Sequence, residues 1–278
     1  MDGQEGARGP MKLSTPTRIS LRVLALGYLF VLLVLPLGVI LVRSFGHGIV
    51  AFIDQIGTPA AISAINLSLL IVAIVVPVNV VFGVLIALAL VRGSFPGRRL
   101  LQGLVDLPFA VSPVVVGVSL ILLWGVGGWF GGLAELGIQV IFAVPGMVIA
   151  TIFVTLPFVV REVEPVLHEI GDDQEQAAAT LGASGWQTFR RITMPAIRWG
   201  LTYGVVLTVA RALGEFGAVI MVSSGFAGVS QTLTLLVHAR YIDDHNDFGA
   251  YCAATLLMGI ALLTLLLMTL LERKRDTR

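Results

Sequence analysis

Two side chains of opposite charge, Arg211 and Glu215, stand four residues apart inside an apolar stretch running from Leu201 to Ser224. Neither is tolerated alone in hydrocarbon, but on one helical face each can neutralise the other. The pair reads either as a structural ion pair that glues its segment to neighbouring helices, or as a polar element at a translocation path or gate. A second group is Asp106-Leu-Pro108 followed by Ser112-Pro113. Two prolines so close free backbone carbonyls and weaken a helix, which a membrane tolerates where the helix lines a cavity or packs on protein. Such a break can also aim N–H groups at an anion without any full positive charge. Asp106 by itself reads as a capping residue near the membrane boundary. The chemistry these groups offer is ion pairing and hydrogen bonding, not covalent catalysis. The chain has no Gly-Lys dipeptide, and therefore no P-loop, no His-Glu-x-x-His zinc motif and no Gly-x-Ser-x-Gly elbow. His47, His168, His238 and His245 are scattered, and the single cysteine, Cys252, falls in an apolar run, where it reads as a small apolar residue. No catalytic residue, metal site or bound cofactor is expected, and an intramembrane enzyme finds little support.

These groups need a membrane-spanning frame, and the composition supplies one. Only 13% of the 278 residues are charged and 56% are hydrophobic, where a soluble domain carries about a quarter charged residues. Long uncharged runs then predict an all-α polytopic membrane protein, because a barrel would show short alternating segments. Residues 1–20, rich in Gly, Pro and Thr, read as a disordered tail. Residues 21–272 read as one transmembrane domain with spans at about 23–42, 60–91, 104–124, 140–160, 201–224 and 248–271. Residues 273–278 form a short basic tail. Phe52, Ile53 and Ile56 suggest a short interfacial helix between the first two spans, and Pro77 a kink in the second. Residues 225–247 read as a polar loop in which His238, Arg240 and His245 are solvated or serve as a docking surface.

Six spans put both ends on one side. Fifteen of the 18 Lys and Arg fall in the two tails, the loop holding Arg92, Arg98 and Arg99, and residues 161–198. The positive-inside rule makes those segments cytoplasmic. Net charge of +1 gives no reason to expect nucleic acid. Within the 161–198 loop lies the chain's one soluble-looking stretch, Gln176 to Pro195. Ala177 to Leu181 favour helix, Gly182 can supply the left-handed turn that ends it, and Ser184 with Gln187 can form a capping box. Two short helices joined at a glycine and ended by Pro195 are expected, placed to touch a soluble partner.

This stretch resembles the cytoplasmic loop of bacterial ABC-importer permeases, whose pattern is Glu-Ala-Ala, three residues, Gly, nine residues, then Ile-x-Leu-Pro. The same spacing is filled here by Gln176, Ala177, Ala178, Gly182, Ile192, Met194 and Pro195, with Gln176 in place of Glu and Met194 in place of Leu. Met for Leu nearly conserves volume, whereas Gln for Glu removes a charge. Three further stretches look like the sulfate, molybdate and tungstate branch: Asp106-Leu-Pro-Phe-Ala-Val-Ser-Pro-Val-Val, Thr155-Leu-Pro-Phe-Val-Val-Arg-Glu and Ala210-Arg-Ala-Leu-Gly-Glu-Phe-Gly-Ala. Leu181-Gly-Ala-Ser-Gly-Trp-Gln, Pro195-Ala-Ile-Arg-Trp and Tyr203-Gly-Val-Val-Leu-Thr are most similar to the W-type permease subunits of sulfate/thiosulfate importers. The likeness spans about Ile62 to Leu271.

The resemblance implies a type I ABC-importer permease fold with both termini cytoplasmic, in the inner membrane of a bacterium. It implies that Leu181 to Phe189, with Gln176, Ala177, Ala178, Gly182, Ala183, Ser184, Gly185, Ile192 and Pro195 around them, form a coupling loop that docks on an ATPase. It further implies a translocation path or gate at Asp106, Pro108, Ser112, Pro113, Arg211, Glu215, Phe216 and Gly217. The implied partners are a homologous T-type permease, two ATPase subunits that use ATP and Mg2+, an external sulfate-binding protein, and membrane lipid. The rival readings are a permease for molybdate, tungstate or another tetrahedral anion, a secondary transporter, which the absence of an internal repeat disfavours, and an assembly protein without transport.

Overall fold

Apolar segments in lipid must satisfy their backbone groups internally, and among the described residues they do so as helices, with no strand. The computed structural model describes residues 15–276. The described residues begin with α1 (Thr15–Leu29), pass through a π turn at Phe30–Val34, and continue as α2 (Leu35–Phe45). Then follow α3 (Gly48–Ile56), α4 (Pro59–Arg92), α5 (Arg98–Ala110), α6 (Pro113–Trp124), α7 (Gly132–Glu135) and α8 (Val144–Ile170). After α9 (Asp173–Thr180), α10 (Gly185–Thr188) runs through a second π turn at Phe189–Thr193 into α11 (Met194–Leu213). The last elements are α12 (Gly217–Val222), α13 (Leu233–His238) with a π turn at Ala239–Asp243, and α14 (Asp247–Asp276). Five stretches are long and apolar enough to cross a membrane, and the bent pair α5–α6 makes up to six.

Helix α8 is the axis. Of its most apolar window 56% is buried, against 28% for α4 and none for the first helix. Without a hydrophobic drive between helices in lipid, close approach comes from small residues. A Cβ on Gly83 of α4 would lie 2.7 Å from Val159 Cβ, and one on Gly204 of α11 would lie 2.9 Å from Val159 Cα. Val159 is thus gripped from both sides. A deeper apolar cluster joins α4, α5, α8 and α11 through Leu90, Val105, Val163, Leu167 and Ile197. At the other end Ile71, Val116, Met147, Val219 and Leu235 join α4, α6, α8, α12 and α13. Gly204→Val is expected to destabilise this bundle by about 1–3 kcal/mol, because the backbone of α8 cannot yield. A thermal unfolding midpoint in detergent equal to that of the unmodified chain would show that α11 sits looser than this.

The structure corrects several boundaries. Residues 15–20, expected in the disordered tail, are helical, while 1–14 lie outside the described residues. The expected tail at 273–278 continues α14 as far as Asp276. The span placed at 104–124 is two helices meeting at 112°, starting already at Arg98. The span placed at 140–160 runs on to Ile170 with Pro157 and Pro165 inside it. The span placed at 201–224 breaks at Gly214–Phe216 between α11 and α12. Pro195 does not end a helix. It occupies the first positions of α11, and the π turn before it closes on a Met194 N–H to Phe189 carbonyl bond. That wider turn removes the need for a proline N–H and eases the clash a proline makes four residues back. The same arrangement recurs before Pro36, where Leu35 N–H bonds the Phe30 carbonyl.

The largest departure is the polar loop at 225–247. Ser230 to Leu236 are all buried, and Arg240 is only 5% exposed. The Leu233 N–H donates to Ser68 Oγ of α4 at 2.8 Å. Arg240 donates to the Gly249 and Gln55 carbonyls and to Thr58 Oγ1. Burial pulls its guanidinium below the ordinary arginine value, with the nearby Cys252 and Asp244 opposing. Arg240 therefore ties α3, α4 and α14 together instead of facing solvent; His245 does lie in an exposed segment.

Candidate functional site

The 171–193 loop is built from local hydrogen-bond grammar. Helix α9 opens with Asp173 and Glu175 in its first turn, which suits the positive end of its dipole. It ends in a double lock, with Gly182 N–H on the Ala179 carbonyl and Ala183 N–H on the Ala178 carbonyl, both at 3.0 Å. That closure needs a left-handed residue, and Gly182 supplies it at φ +82°. Ser184 and Gln187 then close the capping box of α10. The expected helix–glycine–helix is present, but α10 is the first turn of a helix continuous through α11.

Most of the residues singled out in this loop face outward. Gln176, Ala177, Gly182, Ser184, Gly185 and Pro195 are exposed, and Ala178, Ala183 and Ile192 half-buried. Leu181 is 89% exposed and Trp186 69%, the latter with its ring stacked on Phe189 at 5.6 Å. Two large apolar side chains held out by a rigid turn make a contact surface. Glu175 turns the other way. Its Oε2 lies 2.9 Å from Arg92 Nε at the end of α4, and its Oε1 accepts from Thr193 Oγ1 at 2.7 Å. Arg92 also donates to the Leu167 and Gly171 carbonyls at the end of α8. Sequence reasoning missed both residues, since it counted Arg92 only as a topogenic charge; Glu175 one place before the Gln-Ala-Ala run was the available signal.

The second site is the broken helix. Val111 and Ser112 separate α5 from α6, and Ser112 caps α6 in extended conformation with no side-chain capping bond. The start of α12 lies beside it, since a Cβ on Gly217 would come 3.1 Å from Pro113 Cβ. Pro108, Phe109, Ser112, Pro113, Phe158 and Arg211 line an open cleft of about 490 Å³. Phe109 and Phe158 meet edge to face at 5.6 Å across it. The cleft therefore carries one guanidinium, one hydroxyl and the N-terminal end of a half-helix, a combination that favours an anion.

Glu215 lies behind that cleft. Its side chain is 1% exposed and pairs with Arg211 Nη1 at 2.7 Å, while Arg211 is 34% exposed. The expectation of two charges on one helix changes, because α11 stops at Leu213 and Glu215 sits in the break. Its other oxygen accepts from the Ala218 N–H at 2.7 Å and so caps α12. Its carbonyl accepts from Thr234 Oγ1 at 2.8 Å. Glu215 thus links both halves of the broken helix to α13. Phe216 is not brought to the cleft; it faces a separate apolar cavity of about 680 Å³, against His238 at 5.3 Å. Asp106 lies on α5 two residues before Pro108 but is outside the cleft lining, in an exposed ion pair with Arg161. Also missed were Asn79 and Thr155, fully buried and bonded at 2.7 Å between α4 and α8. An amide inside an otherwise apolar span was their signal.

A family described as "binding-protein-dependent transport system inner membrane component" matches residues 79–277. The "Sulfate transport system permease protein CysW" of Synechococcus elongatus is 50% identical over 252 residues, covering 90% of this chain and 88% of that protein. The protein of the same name from Synechocystis is 49% identical, over 90% of this chain and 91% of its own. Among solved structures, a bacterial ABC transporter involved in the import of the acidic polysaccharide alginate superposes with a TM-score of 0.78 at 16% identity, covering 92% of this chain and 95% of that one. That last likeness concerns the fold alone.

Proposed function

The chain belongs to the family of binding-protein-dependent transport system inner membrane components, and from that premise we propose that it is a permease subunit of an ATP-driven sulfate/thiosulfate importer. The observation that carries the substrate is the identity of about one half with sulfate transport system permeases over nine tenths of the chain. The charge asymmetry supports an orientation with both termini and the 171–193 loop in the cytoplasm of a bacterium, the chain crossing its inner membrane. The partners that complete the reading are a T-type permease, two ATPase subunits and an external sulfate-binding protein. The first helix, with its apolar window wholly unburied, has a surface to give to lipid and to that second permease.

The loop works as a mechanical contact. Leu181 and Trp186, held out by the Gly182 turn and the Ser184 cap, seat on an ATPase. ATP binding with Mg2+ in the ATPase pair draws the two loops together. Helix α11, continuous with the docked turn, carries that motion to the break at Gly214, beside Arg211 and Ser112. The cleft then changes its exposure from one side to the other. A path for sulfate needs enough attraction to admit the anion and little enough to release it. Arg211, with its charge shared by Glu215, and neutral donors such as Ser112 meet both demands.

Proteoliposomes containing the two permeases and the ATPase should take up labelled sulfate only when ATP is inside with the ATPase and the sulfate-binding protein is outside. Excess molybdate or tungstate should compete weakly. Uptake of molybdate in preference to sulfate would overturn the substrate, and uptake without ATP would make the chain a secondary transporter.

A further inference from the structure

We infer that Arg92 and Glu175 are positioning residues that couple the docked loop to the membrane helices, and that without this joint ATP is hydrolysed with little sulfate moved. The inference rests on the docking role of the loop proposed above. Helix α9 has eight residues and none of them is buried. A helix this short is not stable by itself, so its position depends on what holds it. Among the described residues, every ion pair and side-chain hydrogen bond joining α9 to another element runs through Glu175. One carboxylate oxygen pairs with Arg92 at 2.9 Å, the other takes the Thr193 hydroxyl at 2.7 Å, and Thr193 is itself buried.

Arg92 is the other half of the joint. It is the last residue of α4, and its fork reaches the carboxylate together with the Leu167 and Gly171 carbonyls. Those carbonyls belong to the end of α8, where a helix leaves its last acceptors unpaired. One guanidinium thus gathers the ends of α4 and α8 and the start of α9, and Glu175 adds the π turn that leads into α11. The planar, five-donor fork of arginine spreads its N–H groups over these three acceptors, which the compact ammonium of lysine matches poorly. Both side chains are about one fifth exposed, so the pair stands between an exposed pair, which adds little stability, and a buried one, which is costly to break. The apolar cluster of Leu90, Leu167 and Ile197 already holds α4, α8 and α11 together. What the ion pair adds is the attachment of α9, the platform that ends in Gly182, to that body. Push on the platform without the joint, and α9 swings about its flanking turns, so the push entering at Leu181 no longer reaches α4 and α8, and α11 tilts out of step with them.

The test uses the assembled complex, with the ATPase and the sulfate-binding protein, carrying Arg92→Met or Glu175→Gln. Both variants should retain co-purified ATPase and hydrolyse ATP at about the unmodified rate, while sulfate delivered per ATP falls about tenfold. Arg92→Lys, which keeps the charge but not the fork, should fall between. A ratio of sulfate to ATP unchanged in Glu175→Gln would overturn the inference, including the case in which the yield or thermal midpoint of the complex drops, because that marks a purely structural pair. If Arg92→Met does not assemble, Glu175→Gln and Arg92→Lys decide. Failure of the unmodified chain to hold an ATPase would instead remove the docking role.

Discussion

Gly182→Arg is expected to abolish ATP-driven sulfate uptake while the chain still inserts and folds. Two effects compete at this position, and their sizes separate them. Gly182 has φ +82°, so any side chain there incurs the left-handed penalty of about 1–2 kcal/mol. A Cβ would meet nothing within 4 Å, so no internal clash is added. Strain of that size loosens the α9 closure without unfolding a bundle held together around α8. Asparagine tolerates the left-handed region, and Gly182→Asn should keep uptake within about twofold. Arginine carries the left-handed strain that asparagine partly escapes, and also sets a long charged side chain beside Leu181, on the face proposed to seat in the ATPase. Measuring uptake and ATPase co-purification in both variants separates the causes. Loss in Arg alone places the fault at the contact, loss in both places it in the turn, and normal uptake in Arg would end the docking assignment.

The second large effect is an ordering of stabilities at the helix break. Arg211→Ala should cost about 3–5 kcal/mol, because it leaves the Glu215 carboxylate buried at 1% exposure without its cation. Glu215→Ala should cost less, about 2–3 kcal/mol, since Arg211 keeps a third of its surface in the cleft and can rehydrate; the main loss is the capping bond to Ala218. The double variant should then be more stable than Arg211→Ala alone. All three should transport at under about a tenth of the unmodified rate, since the cleft loses its cation or its position. Thermal unfolding of the purified chains checks the order, and a double variant equal to the sum of the two single losses would show that the charges do not act as a pair.

What could be read from the residues was whatever is decided within a few positions. Gly182, Ser184 and Gln187 announce their turn and cap because every partner lies within five residues. The spans could be counted because hydropathy sums over a window. A window cannot see direction, however: the paired prolines announced a weak point near Val111–Ser112 but not its 112° turn, and the break at Gly214–Phe216 passed as the middle of a span. Polarity misled at Ser230 to Leu236, where buried polar groups find partners such as Ser68, 165 positions away from Leu233. Arg92 and Arg240 illustrate the same limit: a charge count records them as side-of-membrane markers, while their acceptors lie on helices distant in sequence. Of the residues expected at a path or gate, Pro108, Ser112, Pro113 and Arg211 meet in one cleft, but nothing local could tell that Phe216 would turn into another cavity.

The π turn at Phe189–Thr193 has a consequence for leverage. By letting the helix pass Pro195 unbroken, it makes Gly185 to Leu213 a single rod of 29 residues, about 43 Å long at 1.5 Å per residue. A proline stop at 195 would have left a short stub able to bend where it enters the membrane. Moving as one body, the continuous helix turns a tilt of only about 5° at the docking end into a displacement of about 4 Å at the far end, close to the width of a tetrahedral anion. The compliant point of the chain is then moved inward to Gly214, and the amplitude of the gate is set by the length of the rod.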